Sequence, residues 1–188
     1  AGDPRLHLRV HGVWFQRGTR ETGVPALCLA LPLALKDPQA RYEIPFGALD
    51  RGLDRGEEVP ALNWGQVTGS VGSKVAGCVL LNDSKHGHAL HGSVLRLTLI
   101  RSAYEPDILP ESGQHDIHLA LLPFAGELPV AQAIRAGQVF NRALRVVGTH
   151  ETVGGMTHDS LAKYYARYGP GNLIVAIVGD VDTDAALE

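Results

Sequence analysis

Leu6, Leu8 and Val10 alternate with His7, Arg9 and His11, the period-two pattern of a half-buried β-strand. Ala26 to Leu35 is almost wholly apolar. Pro25 and Pro32 argue against a long helix there, so the run predicts a strand at a sheet edge or with a bulge. Tyr42 to Phe46 reads as a short strand, and the charged, glycine-punctuated Asp50 to Gly56 as a surface loop. Lys74 to Leu81, Ser93 to Ile100 and Gln114 to Leu122 read as three further strands. In the second of these, Leu95, Leu97 and Leu99 share one face, and Val94, Arg96, Thr98 and Ile100 the other. Strands separated by Gly, Asp and Pro turns predict a mainly β chain: an antiparallel β-sandwich over residues 3–125, centred on Lys74 to Leu122.

The pattern changes towards the end. Leu128 to Phe140 carries Val130, Ala133, Ile134 and Gly137 at helical spacing, with Gly137 weakening the helix. Thr157 can cap a helix from His158 to about Tyr168, with Leu161, Tyr164, Tyr165 and Tyr168 on one side. Gly169 to Asn172 stops it, Leu173 to Val178 reads as a strand covered on both faces, and Asp182 can cap another helix. The expected division is a β-sandwich domain over 1–147 and a C-terminal α/β tail over 148–188. A strand as apolar as Leu173 to Val178 should dock on the β-domain or on its copy in a second chain.

With 188 residues and 45% hydrophobic content, the chain can hold one good core, or one domain with an appendage. A net charge of -3 supplies no basic field for nucleic acid and no bias to a membrane surface. Val24 to Leu35 is too short to span a bilayer, and no targeting signal is seen. The expectation is a soluble protein, cytoplasmic or recombinantly expressed. Cys28 and Cys78 form no disulfide framework and read as two buried thiols.

Candidate chemistry is sparse. His86, His88 and His91 invite a metal reading, with His86 and His88 as the weak candidates. Gly87 and Gly92 point instead to a turn, and the segment reads as a solvated hairpin or loop with no metal. His115 and His118 fall on opposite faces of one strand. Asn82-Asp83, directly after an apolar strand, can bond its own backbone and shape a turn. Glu57, Glu58, Asp50 and Asp54 read as solvated rather than as a buried acid–base pair. Ser84 and Ser102 lack a glycine elbow and an evident base. No phosphate-binding glycine fingerprint occurs. No catalytic residue is assigned.

From Val79 to Pro123 the chain closely resembles the C-terminal β-domain of family-38 glycoside hydrolases, the retaining α-mannosidases. The residues that carry this are Leu81-Asn82-Asp83, Lys85, Gly87, Leu95 to Ser102, Pro106-Asp107, and Gly113-Gln114-His115 leading to Ala120-Leu121-Leu122-Pro123. Trp14, Leu31-Pro32-Leu33, Tyr42 to Gly47, Arg51, Glu58-Val59-Pro60, Trp64, Phe140-Asn141, Leu144 and Val146-Val147 extend it over about residues 3–147. The resemblance implies a β-domain that supports a catalytic domain elsewhere. The zinc ligands and nucleophilic Asp of that family reside in the separate domain, so no cofactor is expected in this chain. It also permits the loop from Asn82 to His88 to face a sugar cleft, with Asn82, Asp83 and Lys85 near substrate; the turn-shaping role is the alternative.

The tail is similar to something else. Gly148-Thr149, Glu151-Thr152-Val153, Met156-Thr157, Asp159, Leu161, Tyr164, Tyr168, Pro170, Asn172 and Ile174 to Asp182 resemble pitrilysin/insulinase-type (M16-like) metallopeptidases, without their His-x-x-Glu-His zinc motif. The expected function is a non-catalytic accessory β-domain fragment of an α-mannosidase, in a chimeric or recombined chain. A carbohydrate-binding module, part of a mannosidase active site and a metallopeptidase fragment are the alternatives. Exposed aromatics for a binding module are scarce, since Trp14 and Trp64 read as core or edge residues. The expected partners are a second copy, through unpaired sheet edges, and a mannoside, with no nucleic acid and no membrane.

Overall fold

The computed structural model describes residues 3–51, 57–107, 111–142 and 149–166. Its strands are β1 (Leu6–Trp14), β2 (Ala26–Pro32), β3 (Lys36–Ile44), β4 (Gly47–Arg51), β5 (Val59–Pro60), β6 (Trp64–Val71), β7 (Lys74–Asn82), β8 (Gly87–His91), β9 (Val94–Arg101) and β10 (Gly113–Ala125). Three helices follow: α1 (Val130–Asn141), α2 (His150–Gly154) and α3 (His158–Tyr165). One sheet runs β1-β10-β7-β6-β3-β4 and the other β2-β9-β8-β5. Every strand pair is antiparallel, so the mainly β, two-sheet architecture read from the alternation is the one observed.

The sequence builds these hairpins locally. β6–β7 and β8–β9 turn on Gly72-Ser73 and Gly92-Ser93, with φ of 61° and 56° at the two glycines. A positive φ at the first central residue matches the twist of two paired strands, and glycine takes it without steric cost. β2 lies at a sheet edge and its register shifts between Leu27 and Cys28, so both features expected from its prolines are present. Tyr42 to Phe46 is not a single strand. β3 ends at Ile44, and Phe46 sits in the connection to β4 with a φ of 65°. Asp50 and Arg51, read as loop, belong to β4, where Asp50 pairs with Arg41 across the strands. The remainder of that loop lies outside the described residues.

β7 is buried on both faces. Cys78 and Leu80 join Tyr42, Val67, Leu95, Leu97, Leu99, Ile117 and Leu119 in the core between the sheets. Val79 and Leu81 face the other way and join Trp64, Ala120 and Ala133, where α1 covers the outer side of the larger sheet. The architecture is therefore sheet, sheet and helix around two apolar layers. Burying side chains such as Leu80, Leu95 and Leu97 contributes about 1.5–3 kcal/mol each before entropy is counted. Neither cysteine is bonded. Cys78 is buried, which pushes its thiol up to about 11, and Cys28 is half-buried.

The chain comprises two compact units, Ala1–Leu144 and Arg145–Glu188. In the second, Thr157 caps α3: its hydroxyl accepts from the Ser160 N–H at 3.2 Å, and the Ser160 hydroxyl accepts from the Thr157 N–H at 3.0 Å. The cap falls where the sequence placed it. Leu161 and Tyr164 of that helix are exposed. The expected Gly169–Asn172 stop, the Leu173–Val178 strand and the Asp182 cap lie outside the described residues.

Gly137 in α1 has a packing reason. A β-carbon at this position would come 2.8 Å from Trp64 Cδ1, and Trp64 is fully buried. Alanine would gain about 1 kcal/mol of helix propensity and lose about 1–3 kcal/mol to overpacking against a rigid indole. Gly137→Ala should therefore destabilise the protein by about 1 kcal/mol, read from the urea midpoint. Gly12→Ala on β1, with open space around it, should leave that midpoint unchanged or slightly raised.

Candidate functional site

The Asn82–His88 segment leaves the end of β7 and re-enters the smaller sheet at β8. Asn82 is fully buried, and its side chain ties three segments together. Its Nδ2 donates to Leu62 O at 3.0 Å and lies 3.4 Å from His88 Nε2, while its Oδ1 accepts from the Lys85 N–H at 2.8 Å. Its backbone N–H donates to Asn63 O at 3.0 Å, and its carbonyl accepts from Asn141 Nδ2 at 2.9 Å. The amide is consumed internally, as the turn-shaping reading expects.

Asp83, one residue later, points elsewhere. Its Oδ2 accepts from the His118 N–H at 3.2 Å and its Oδ1 from the Ser84 hydroxyl at 2.9 Å. The carboxylate remains partly exposed and lines a cleft of about 430 Å³ with Arg5, His7, Arg9, His118 and Phe140. Lys85 Nζ lies 3.7 Å from Glu111 Oε2, and Glu111 O also meets His115 Nε2 at 2.7 Å. The three residues singled out near substrate thus separate into one internal bolt, one cleft-lining carboxylate and one ion-paired amine.

The solvated-loop reading of residues 86–91 needs correction. Gly87 to His91 is β8, and His88 is fully buried, edge-on to the Tyr42 ring at 5.6 Å between centroids. His88 Nδ1 is buried without a hydrogen-bond partner among the described residues. Burial pushes its pKa down from 6.5 to about 4, against a smaller opposing contribution from the Lys85 backbone. His86 Nδ1 lies 3.1 Å and 3.2 Å from the carbonyls of Ala61 and Leu62. Each imidazole is engaged with its own neighbours, and the described residues include no cluster of three or more metal-ligating side chains. What hid His88 is composition: His86, His88 and His91 flanked by glycine look hydrophilic, although the His-Ala-Leu core of the segment is all buried.

His115 and His118 do alternate across β10. Trp64 is core, and half-buried Trp14 donates its Nε1–H to Ser102 Oγ at 2.6 Å, which occupies that hydroxyl. Glu57 and Glu58 are exposed, and Glu58 accepts from Thr98 Oγ1 at 2.8 Å. Among the described residues the displaced carboxylates, Asp3, Glu21, Asp50 and Asp116, all lie below their ordinary range. Arg9 beside Asp116 holds that carboxyl at about 2. A general acid requires displacement in the other direction.

Residues 2–109 match the family described as the glycosyl hydrolases family 38 C-terminal domain. The human protein Alpha-mannosidase 2C1 is 33% identical over 144 residues, which are 73% of this chain and 13% of that protein. Alpha-mannosidase G of Dictyostelium discoideum is 28% identical over 131 residues, 66% of this chain and 12% of that one. Alpha-mannosidase of Saccharomyces cerevisiae is 29% identical over 112 residues, 60% and 10% respectively. The chain thus spans about an eighth or less of the length of these relatives.

Two outcomes test the geometry. Asn82→Ala strands the Lys85 N–H, removes the Nδ2 bond to Leu62 O and leaves a void in the interior, and should cost about 2–4 kcal/mol, whereas Asp83→Asn should cost under about 1 kcal/mol, both by urea denaturation. His88 is neutral when folded and free to ionise when unfolded. Its contribution is therefore complete above pH 6.5 and is lost as pH falls towards 4, by roughly 3 kcal/mol in all. Its imidazole proton resonance should titrate near pH 4, while urea midpoints fall steadily across the same interval.

Proposed function

The chain belongs to the C-terminal domain family of the family-38 glycosyl hydrolases, and on that premise we propose a non-catalytic role for it beside an α-mannosidase catalytic domain. The β-sandwich gives such a domain a rigid flank, and the loop after β7 offers Asp83 and Lys85 to the sugar. The observation that carries this reading is the division of labour within the loop. Asn82 is fully buried and fixes the loop from inside, while Asp83, held by the His118 N–H and the Ser84 hydroxyl, lines an open cleft.

Two features support an absence of chemistry in the chain itself. The displaced carboxylates are shifted towards stronger acidity, and His86 and the Nε2 side of His88 lie against structural neighbours. Zinc then belongs to the catalytic domain that completes the relatives. The tail over 148–188 is, in this reading, a segment of different origin, similar to an M16-like metallopeptidase and joined to the β-domain. The open outer edges of both sheets favour self-association of the chain.

Purified chain incubated with an aryl α-mannoside, with and without added zinc, should show no turnover above buffer. Turnover that co-elutes with the protein through chromatography and drops in Asp83→Asn would overturn the non-catalytic assignment.

A further inference from the structure

The larger sheet ends at β1 on one side and at β4 on the other, and the smaller sheet at β2 and β5. Three of these edges are blunted. β5 is two residues long and includes Pro60, β2 breaks register between Leu27 and Cys28 and ends at Pro32, and β4 has five residues. Proline, a bulge and shortness each spoil a strand as a template for pairing. β1 has none of these. Its nine residues pair with β10 in unbroken register, from Leu6 opposite Leu121 to Trp14 opposite Gly113. Alternate residues of an antiparallel strand turn their main-chain groups away from the partner. About eight to ten N–H and C=O groups along the outer edge of β1 therefore meet no other strand among the described residues.

The side chains of β1 suit a second copy of the same strand. Leu8, Val10 and Trp14 pack on the core between the sheets but stay only half-buried, and Leu6 on the same face is 59% exposed. A β-carbon at Gly12 would meet nothing within 4 Å. The strand's one arginine, Arg9, is turned to Asp116 of its own sheet by two hydrogen bonds, so no free Lys or Arg guards the edge. A two-fold axis through Val10, the midpoint of β1, sets a second β1 antiparallel to the first over its full length. Leu6 then stands beside Trp14 of the second copy, Leu8 beside the open space at Gly12, and Val10 beside its own equivalent. On the opposite face Arg9 stands beside His11. A slip of one residue would set core-facing side chains against outward ones, and an axis through Arg9 would oppose the two guanidiniums.

We propose that β1 is a self-pairing edge: two copies of the chain join through an antiparallel β1–β1 ladder centred on Val10, which makes the two larger sheets one. The proposal rests on the self-association read above from the open sheet edges, and it selects the edge, the register and the symmetry. A two-fold contact of this kind is closed, because each copy uses up the edge that the other needs. The ladder supplies main-chain hydrogen bonds, and the matched apolar row seals the flank of the core that Leu6, Leu8 and Val10 leave open.

The test is sedimentation velocity of the 188-residue chain at neutral pH, over about 1 to 300 μM, together with two variants at the exposed His11. The expected result is a monomer–dimer equilibrium. His11→Lys sets two lysines against two arginines across the axis and should raise the dimer Kd about tenfold, whereas His11→Glu should lower it about tenfold. Within its own sheet His11 stands opposite Asp116, so an effect on folding alone runs the other way. Urea midpoints should accordingly rise slightly in His11→Lys and fall slightly in His11→Glu. A dimer indifferent to both variants overturns the β1 edge and leaves self-association standing. A monomer at every concentration overturns both. Reversed effects on the Kd overturn the register, and assemblies that grow without limit overturn the closed two-fold contact.

Discussion

β7 is hydrophobic on both faces, and covering both is the constraint from which the remaining architecture follows. Val79, Leu80 and Leu81 are wholly inaccessible to solvent although they alternate in direction. A strand of this kind cannot sit in a two-layer structure with one wet face. The smaller sheet covers Leu80, and α1 covers Val79 and Leu81. The close fit of α1 demands Gly137 opposite Trp64, and the buried end of β7 demands an amide, Asn82, that can satisfy the backbone groups stranded there. The polar loop that follows is thus an outgrowth of the most apolar strand.

This arrangement links stability to the candidate site. The bolt at Asn82 reaches Leu62, Lys85 and His88, and its own carbonyl holds Asn141 in the last turn of α1. Phe140, adjacent to Asn141, therefore has its position set by the residue next to Asp83. The two walls of the cleft meet at one buried residue, whose side chain holds the loop and whose main-chain carbonyl holds the end of α1. A site on loops needs such a brace to keep its geometry.

Much of the fold was legible from alternation alone. β1, β9 and β10 carry clean period-two patterns because each presents one face to the core, and Pro25 and Pro32 announced the edge position of β2. The Thr157 cap was legible because capping is local chemistry. β6 was not, since Trp-Gly-Gln-Val-Thr-Gly-Ser-Val alternates nothing obvious and its burial comes from neighbours on both sides. Asp50 looked like loop because its charge is offset only by Arg41, a cross-strand partner nine residues away in sequence. At the site, the sequence pointed to Asn82, Asp83 and Lys85 together and could not separate their roles. That separation depends on which way each side chain leaves a turn, and the walls at His7 and Phe140 come from distant parts of the chain.

The pairing of β1 with β10 has a consequence for how the protein comes into being. Arg9 and Asp116, which join these strands, are 107 residues apart in the chain. A contact of that span must wait for loop closure and contributes nothing until it is made. On a ribosome that adds about 5–20 residues per second, β1 emerges well before β10, and it stays unpaired for several seconds before that partner exists. The local hairpins β6–β7 and β8–β9, set by their Gly-Ser turns, can form in that interval. β1 then closes the larger sheet last, and the His7 and Arg9 wall of the cleft is completed only at that step.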